Sequence, residues 1–213
     1  MEIILSNILL NVHPIVTEIN IITKLIFYFS FISWLLPPFR QHKGGYFFYF
    51  LILALAEPLG FALYLLFRIN PQYSYAPSSL ALLLVSLYYF KYLKSSVVFI
   101  NILVLFIIAV LTINTHNIIV LLTLTAFYHL EIFSGYTICL IRKLVYRNIF
   151  YTYFLIIIFY EFSLILKFVG FFFDLKTGLG FSYLLTALEV IICFYFIFYN
   201  IKTSPRFHTK IEN

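Results

Sequence analysis

The chain has 213 residues, of which 63% are hydrophobic, 22% are aromatic and only 10% are charged. Soluble domains are about 45–50% apolar and about 25% charged, and disordered chains are poor in aromatic residues, so this composition excludes both classes. The net charge of +6 comes from basic residues that lie between apolar runs rather than in one basic arm, which argues against a nucleic-acid partner. The sequence therefore predicts an integral membrane protein whose first partner is the lipid bilayer.

The first segment, residues 1–18, precedes the first long apolar run. It has no Lys or Arg ahead of its apolar residues, so it lacks the basic region of a signal peptide. Ser6, Asn7 and Asn11 interrupt those apolar residues, a pattern typical of a helix that lies in the membrane interface. We predict a retained external segment with a short interfacial helix that ends near Pro14.

Seven apolar runs follow, and they predict an all-α, polytopic bundle of seven transmembrane helices, because a span needs about 20 mostly apolar residues. The predicted domain covers residues 19–201. Its runs are residues 20–36, 46–67, 79–93, 97–113, 117–141, 148–173 and 180–200. The third and fourth runs are short and almost contiguous, which predicts a tight helical hairpin between them.

The charge of the loops predicts the orientation of the chain. If successive loops alternate between the two sides, one side receives ten of the 14 basic residues. These ten are Arg40, Lys43, Lys91, Lys94, Arg142, Lys143, Arg147, Lys202, Arg206 and Lys210. An excess of Lys and Arg marks the cytoplasmic side. We therefore predict an external N-terminus and a basic cytoplasmic tail over residues 202–213, in a bacterial-type inner (plasma) membrane.

The runs also show a weak internal symmetry. Basic loops follow the first and the fifth runs, and Glu57 in the second run corresponds to Glu161 in the sixth. Spans one to three and five to seven would then form two repeats of the same orientation around a single fourth helix, a plan that transporters use. Positive-inside loops recur without duplication, so this 3+1+3 arrangement stands as a hypothesis beside an unduplicated bundle.

Four carboxylates near the centres of predicted spans are the most informative feature for function. They are Glu57, Glu131, Glu161 and Glu189. A carboxylate at that depth costs about 2.5–3.5 kcal/mol on insertion scales, so each one needs protonation, pairing or contact with water. We predict a shared polar pocket that binds a cation, a proton or a polar ligand. The alternative is that four protonated acids only join helices to one another.

Helical spacing assigns further residues to this pocket. In the seventh run, Ser182 and Thr186 fall on the same face as the acid of that run and extend it into a polar stripe. In the second run, Tyr64 shares a face with the acid. Pro58 directly follows that acid and removes a backbone donor, which predicts a kink that could serve as a gate. A purely structural membrane proline is the alternative.

Four charged or titratable residues have less certain faces. His129 and Glu131 lie two positions apart, about 200° around a helix, so they cannot hold one ion from the same face. We expect Glu131 to face inward and keep His129 as a proton-relay residue, with a buried, hydrogen-bonded histidine as the alternative. Glu161 is flanked by apolar residues, so its partner must come from another helix. We expect Lys167 to extend toward Asp174 at the near end of its span.

Common catalytic motifs are missing from the sequence. It has no glycine-rich phosphate loop and no HExxH, CxxC or GxSxG motif, and His129 is the one histidine near the centre of a predicted span. We therefore predict no metal and no cofactor.

Three functions remain open. The first, which we favour, is a small secondary transporter coupled to protons or cations, and it requires the four acids to line one water-accessible cavity. The second is a non-catalytic subunit or sensor, covered by partner membrane proteins or by second copies of the chain in a homo-oligomer. The third is an intramembrane enzyme that modifies a lipid or isoprenoid by acid–base chemistry.

Overall fold

The structure is a computed structural model that describes residues 25, 26, 28–42, 45–68, 74–90, 118–172 and 179–208, with the backbone alone at 118, 119, 171, 172 and 179–183. It is mostly helical, as predicted. In chain order its elements are α1 (Pro37–Gln41), α2 (Phe47–Phe67), α3 (Tyr75–Tyr89), α4 (Ile118–Arg147), β1 (Ile149–Tyr151), α5 (Thr152–Phe172), α6 (Leu179–Phe198) and β2 (Arg206–His208). Residues 28–34, ahead of α1, are also helical.

Three of the described helices are long and apolar enough to cross a membrane, as expected of a membrane protein. They are Phe47–Phe67, Val120–Arg147 and Thr152–Gly170, within the second, fifth and sixth predicted spans or extending just beyond them. Tyr75–Tyr89 and Leu184–Phe198 are apolar but shorter. The predicted fourth span, the tight hairpin before it, the N-terminal segment and the last residues of the tail lie outside the described residues.

Among the described helices, α4 is the longest, and it packs against two others. Its 30 residues extend about 45 Å, more than the hydrocarbon core of a bilayer, so its basic last turns project beyond the apolar part of the bundle. α4 packs against α3 and α5, α2 packs against α3, and α6 packs against α5. The core between these helices is aromatic. Its largest fully buried side chains include Tyr49, Phe50, Tyr128, Tyr136, Tyr153 and Phe196.

A short antiparallel ribbon joins the C-terminal tail to the connection between α4 and α5. Asn148 has a left-handed backbone (φ 50°), which turns the chain out of α4 and into β1. β1 then pairs with β2, with Phe150 opposite Phe207. Lys143 Nζ lies 4.9 Å from the centre of the Tyr151 ring. The first residues of the predicted tail are therefore part of the folded structure.

The end of α6 beside this ribbon is capped by α1. Gln41 is fully buried, and its Nε2 donates hydrogen bonds of 2.8 Å to the carbonyl oxygens of Phe196 and Tyr199. Carbonyl oxygens at the C-terminal end of a helix have no hydrogen-bond donors within the helix, and Gln41 supplies a donor to these two. The Tyr153 hydroxyl donates to Gln41 Oε1 at 2.8 Å, and Arg40 Nε donates to the Phe198 carbonyl at 3.2 Å.

Three basic segments that the sequence places on one side of the membrane thus meet at one end of the bundle. We call this end, which carries Arg40, Arg142, Lys143, Arg147, Lys202 and Arg206, the basic end. The stack of Tyr46 on Tyr89, with ring centres 4.4 Å apart, brings the C-terminal end of α3 to the same place. The three basic segments therefore lie close together in the described structure.

One close contact in the bundle yields a test of its packing. A Cβ at Gly135 in α4 would overlap the buried Phe90 ring that follows α3, whereas a Cβ at Gly170 in α5 would meet nothing within 4 Å. We expect Gly135→Ala to lower the free energy of unfolding by about 1–3 kcal/mol, because the ring must move. Gly170→Ala should raise it by up to about 1 kcal/mol through helix propensity. Thermal unfolding in one detergent measures both, and equal shifts would contradict the contact of α3 with α4.

Candidate functional site

A cavity of about 170 Å³ lies among residues 28–34, α2, α3, α4, α5 and α6, and we call it the central cavity. A buried water needs about 10–15 Å³, so this space can hold several waters or one small ligand. Its wall is mostly apolar but includes ten polar or charged side chains. They are Ser30, Glu57, Tyr75, Ser78, Ser79, His129, Tyr160, Lys167, Thr186 and Glu189. A polar cavity inside an apolar bundle is a candidate binding site.

A chain of hydrogen bonds runs from the cavity wall into the core. Ser79 Oγ in α3 lies 3.0 Å from His129 Nε2 in α4. On the other side of the imidazole ring, His129 Nδ1 lies 2.7 Å from Glu161 Oε2 in α5. The Tyr49 hydroxyl in α2 donates to the second oxygen, Glu161 Oε1. Four helices therefore each contribute one residue to this chain, and both oxygens of the fully buried carboxylate have a partner.

The structure places the two neighbours His129 and Glu131 on different faces of α4, and His129 is the buried, hydrogen-bonded histidine that was the stated alternative for it. His129 is 3% exposed and faces the cavity, whereas Glu131 is exposed on the outside of α4. The prediction that Glu131 faces inward is therefore wrong. The buried face of α4 follows Thr125, His129, Ile132 and Tyr136, at spacings of four, three and four. In the sequence, the signal that favours an inward-facing His129 is this spacing, which places His129 on one helical face with Ile132 and the aromatic Tyr136.

A buried ion pair forms a second polar group on the cavity wall. Lys167 Nζ lies 3.3 Å from Glu189 Oε2, and the two side chains are 28% and 7% exposed. The predicted partner Asp174 lies outside the described residues, and the ammonium group of Lys167 reaches the acid of α6. Each charge compensates the other in surroundings where an isolated charge would be costly. The cation of α5 therefore belongs to the candidate site.

The remaining predicted residues are spread along α2 and α6. Glu57 lies at the mouth of the cavity, since it lines the wall and stays exposed. Pro58 lies within α2, which continues as one helix from Phe47 to Phe67. Tyr64 lies two turns farther along and faces Arg68, whose guanidinium carbon is 5.9 Å from the Tyr64 ring centre. Thr186 lines the cavity, as predicted for its stripe, while the side chain of Ser182 lies outside the described residues.

The four central acids do not all line one cavity, although the transporter prediction required it. Glu57 and Glu189 line the cavity, and Glu161 reaches it through His129, but Glu131 points away. Within the part of the chain that the structure describes, no group of three or more His, Cys, Asp or Glu side chains is placed to hold a metal ion. Comparison of the chain with known protein families, with characterised proteins and with solved structures finds no match.

Proposed function

We propose that the protein is a small secondary transporter that couples proton movement to the passage of a polar solute. The observation that carries this proposal is the central cavity, where Glu57, the Lys167–Glu189 pair and His129 share one space. Ionisable groups inside a membrane bundle are costly and mark ion, proton or substrate pathways. A subunit that only joins partner chains has no need of such a cavity, so this observation favours a transporter.

The proton in this proposal is held at His129. Neutral His129 accepts a hydrogen bond from Ser79 at Nε2 while its Nδ1–H donates to Glu161. When Nε2 gains a proton it becomes a donor, so the bond to Ser79 reverses and the cavity wall presents a different pattern of donors and acceptors. Glu161 keeps its charge beside the new cation. Proton uptake thereby changes the affinity of the cavity for a solute, which is the requirement for coupling.

The solute in this proposal is small and polar, with at least one ionised group. Glu57 offers a carboxylate at the mouth, and Lys167 offers an ammonium group on the wall. The cavity volume of about 170 Å³ limits the solute to the size of an amino acid or a small amine. Aromatic side chains beside these charges, such as Trp34 and Tyr160, also fit a cationic group through cation–π contact.

The proposal includes the complete topology expected from the sequence. Seven spans would place the N-terminus outside and the basic end in the cytoplasm, by the positive-inside rule. A membrane-impermeant maleimide should then label Arg68→Cys but not Lys202→Cys in intact cells, and Lys202→Cys but not Arg68→Cys in inside-out membrane vesicles. Labelling of both residues from the same side would contradict this arrangement.

Proton flux into liposomes tests the transport proposal. The purified protein is reconstituted with an internal pH-sensitive dye, and a panel of amino acids and small amines is applied under a proton gradient. We expect at least one of them to drive proton movement, and Glu57→Gln to slow it about tenfold or more, as the loss of a charge-assisted hydrogen bond implies. Glu131→Gln, the matched control on the outside of α4, should leave the flux unchanged. Equal rates in the parent and Glu57→Gln proteins would overturn the proposal.

A further inference from the structure

We infer that Ser79 is a nucleophile, activated by His129 and Glu161, and that the central cavity can cleave a short-chain carboxylic ester. This inference goes beyond transport, and it does not depend on passage of a solute. It rests on the order and spacing of three side chains, in which a serine, a base and an orienting acid follow one another. A nucleophile within hydrogen-bond reach of a base that a third group orients is the arrangement used in nucleophilic catalysis.

The distances and the orientation of the ring fit these roles. Ser79 Oγ lies 3.0 Å from His129 Nε2, and His129 Nδ1 lies 2.7 Å from Glu161 Oε2. The carboxylate fixes the tautomer with the proton on Nδ1, so that Nε2 is free to accept the serine proton. Phe168 stacks on the imidazole, with ring centres 5.6 Å apart and an angle of 14° between the rings. The Tyr49 hydroxyl holds the far oxygen of Glu161.

The surroundings of the three residues also fit acyl transfer. Ser79 is 5% exposed and His129 is 3% exposed, yet both line the cavity, so a ligand in the cavity can reach them. A ligand that fills the cavity displaces water from these side chains, which strengthens electrostatic stabilisation of the developing charges. The three residues lie on three different helices, α3, α4 and α5, which are rigid supports.

The reaction balances with water as the only co-reactant. The Ser79 oxygen attacks the ester carbonyl carbon while its proton passes to His129 Nε2, and the carbon–oxygen bond to the alcohol then breaks as His129 returns that proton to the leaving oxygen. Water next attacks the acyl-serine and gives a proton to His129, which passes it to Ser79 as the carboxylic acid leaves. Glu161 stays ionised throughout and stabilises the imidazolium. One ester and one water become one alcohol and one acid.

The cavity wall defines the class of ester. Leu82, Leu164 and Phe168 supply an apolar lining that accepts a short acyl chain. Ser78 and Lys167 place a hydroxyl and an ammonium group on the same wall, where donors are needed for the negative charge of a tetrahedral intermediate.

A fluorophosphonate probe tests the inference directly, because it reacts covalently with activated serines. The full chain in detergent is treated with the probe, and the modified residue is mapped by mass spectrometry. We expect one probe per chain, on Ser79, and no labelling of Ser79→Ala. His129→Gln should slow labelling about 10²-fold or more, as the loss of a general base implies. Ser134→Ala, a serine on the exposed face of α4 and outside the cavity lining, should be labelled at the parental rate, and the parent should hydrolyse p-nitrophenyl butyrate with the same dependence on these variants.

A cysteine variant gives a second measure of reactivity at position 79. Ser79→Cys conserves the size of the side chain, and its thiol should react with iodoacetamide faster than the buried Cys139 and Cys193.

Absence of probe on Ser79 in folded protein, or equal labelling of Ser79→Ala and the parent, overturns the inference. A protein that labels at Ser79 but moves no protons upholds this inference and refutes the transport proposal. A protein that moves protons but carries no probe on Ser79 refutes this inference and leaves the transport proposal standing.

Discussion

Glu161→Ala is expected to lower the free energy of unfolding by about 2–6 kcal/mol. The substitution leaves two buried donors without an acceptor, the Nδ1–H of His129 and the hydroxyl of Tyr49, and each costs about 1–3 kcal/mol. Both donors belong to side chains with 3% exposure or less, so water cannot replace the carboxylate without entering the core. The free energy of unfolding of Glu161→Gln should lie between those of the parent and the alanine variant, because the amide oxygen still accepts one of the two hydrogen bonds.

Glu131→Ala is the matched control for this experiment. It removes the same kind of side chain from the middle of the neighbouring helix, but from its exposed face. We expect a change within about 0.5 kcal/mol, or a gain in stability. Unfolding of the purified proteins in one detergent, followed by circular dichroism against denaturant, measures the difference. Comparable losses for the Glu131 and Glu161 variants would show that the buried hydrogen-bond chain contributes no stability of its own.

Gln41→Leu should produce the second large loss, about 2–5 kcal/mol. Three hydrogen bonds disappear at about 0.5–1.5 kcal/mol each, and the hydroxyl of Tyr153 is left in the core without its acceptor. Leucine is similar to glutamine in size, so the loss reflects the polar contacts rather than an empty space. The same denaturant experiment measures it.

Arg40→Ala provides the comparison for Gln41→Leu. Arg40 also donates to a carbonyl at the end of α6, but its side chain is exposed and water can take its place. We expect its removal to cost less than about 1 kcal/mol. If Arg40→Ala destabilises the protein as much as Gln41→Leu, the buried amide is not what holds α1 against α6.

The helices were the part of this fold that could be predicted from sequence. The apolar runs 46–67 and 148–173 correspond closely to α2 and α5, because a long apolar segment in a bilayer satisfies its backbone hydrogen bonds as a helix. The convergence of Glu57, Glu161 and Glu189 was predictable for a related reason. Each lies near the centre of a run, and a buried charge must find partners there.

The faces of the helices were harder to predict. α4 and α5 are apolar over most of their circumference, so the pattern of hydrophobic residues did not show which side packs against other helices. Glu131 was misassigned for this reason, and the contact of Lys167 with Glu189 was not predicted. Their actual surroundings depend on which helix lies beside them, and Lys167 finds its partner 22 residues away on α6.

Contacts between distant parts of the chain were not predictable at all. Ser79 and His129 are 50 residues apart, and Gln41 and Phe196 are 155 residues apart. A single sequence does not show which polar residues will meet over such separations. The β1–β2 ribbon was missed for the same reason, since three-residue strands are too short to show an alternating pattern.

The hydrogen bonds at the basic end determine which end of the helix bundle can widen. Gln41 and the β1–β2 ribbon tie α1, α5 and α6 together at that end, while the central cavity lies toward the other end of the same helices. A change in cavity width that preserves these hydrogen bonds must therefore pivot about the basic end. The largest displacements then fall at the far ends of α2 and α3, near Arg68 and Tyr75. Passage through the basic end would require the pivot itself to come apart, so entry and exit of a ligand face unequal barriers.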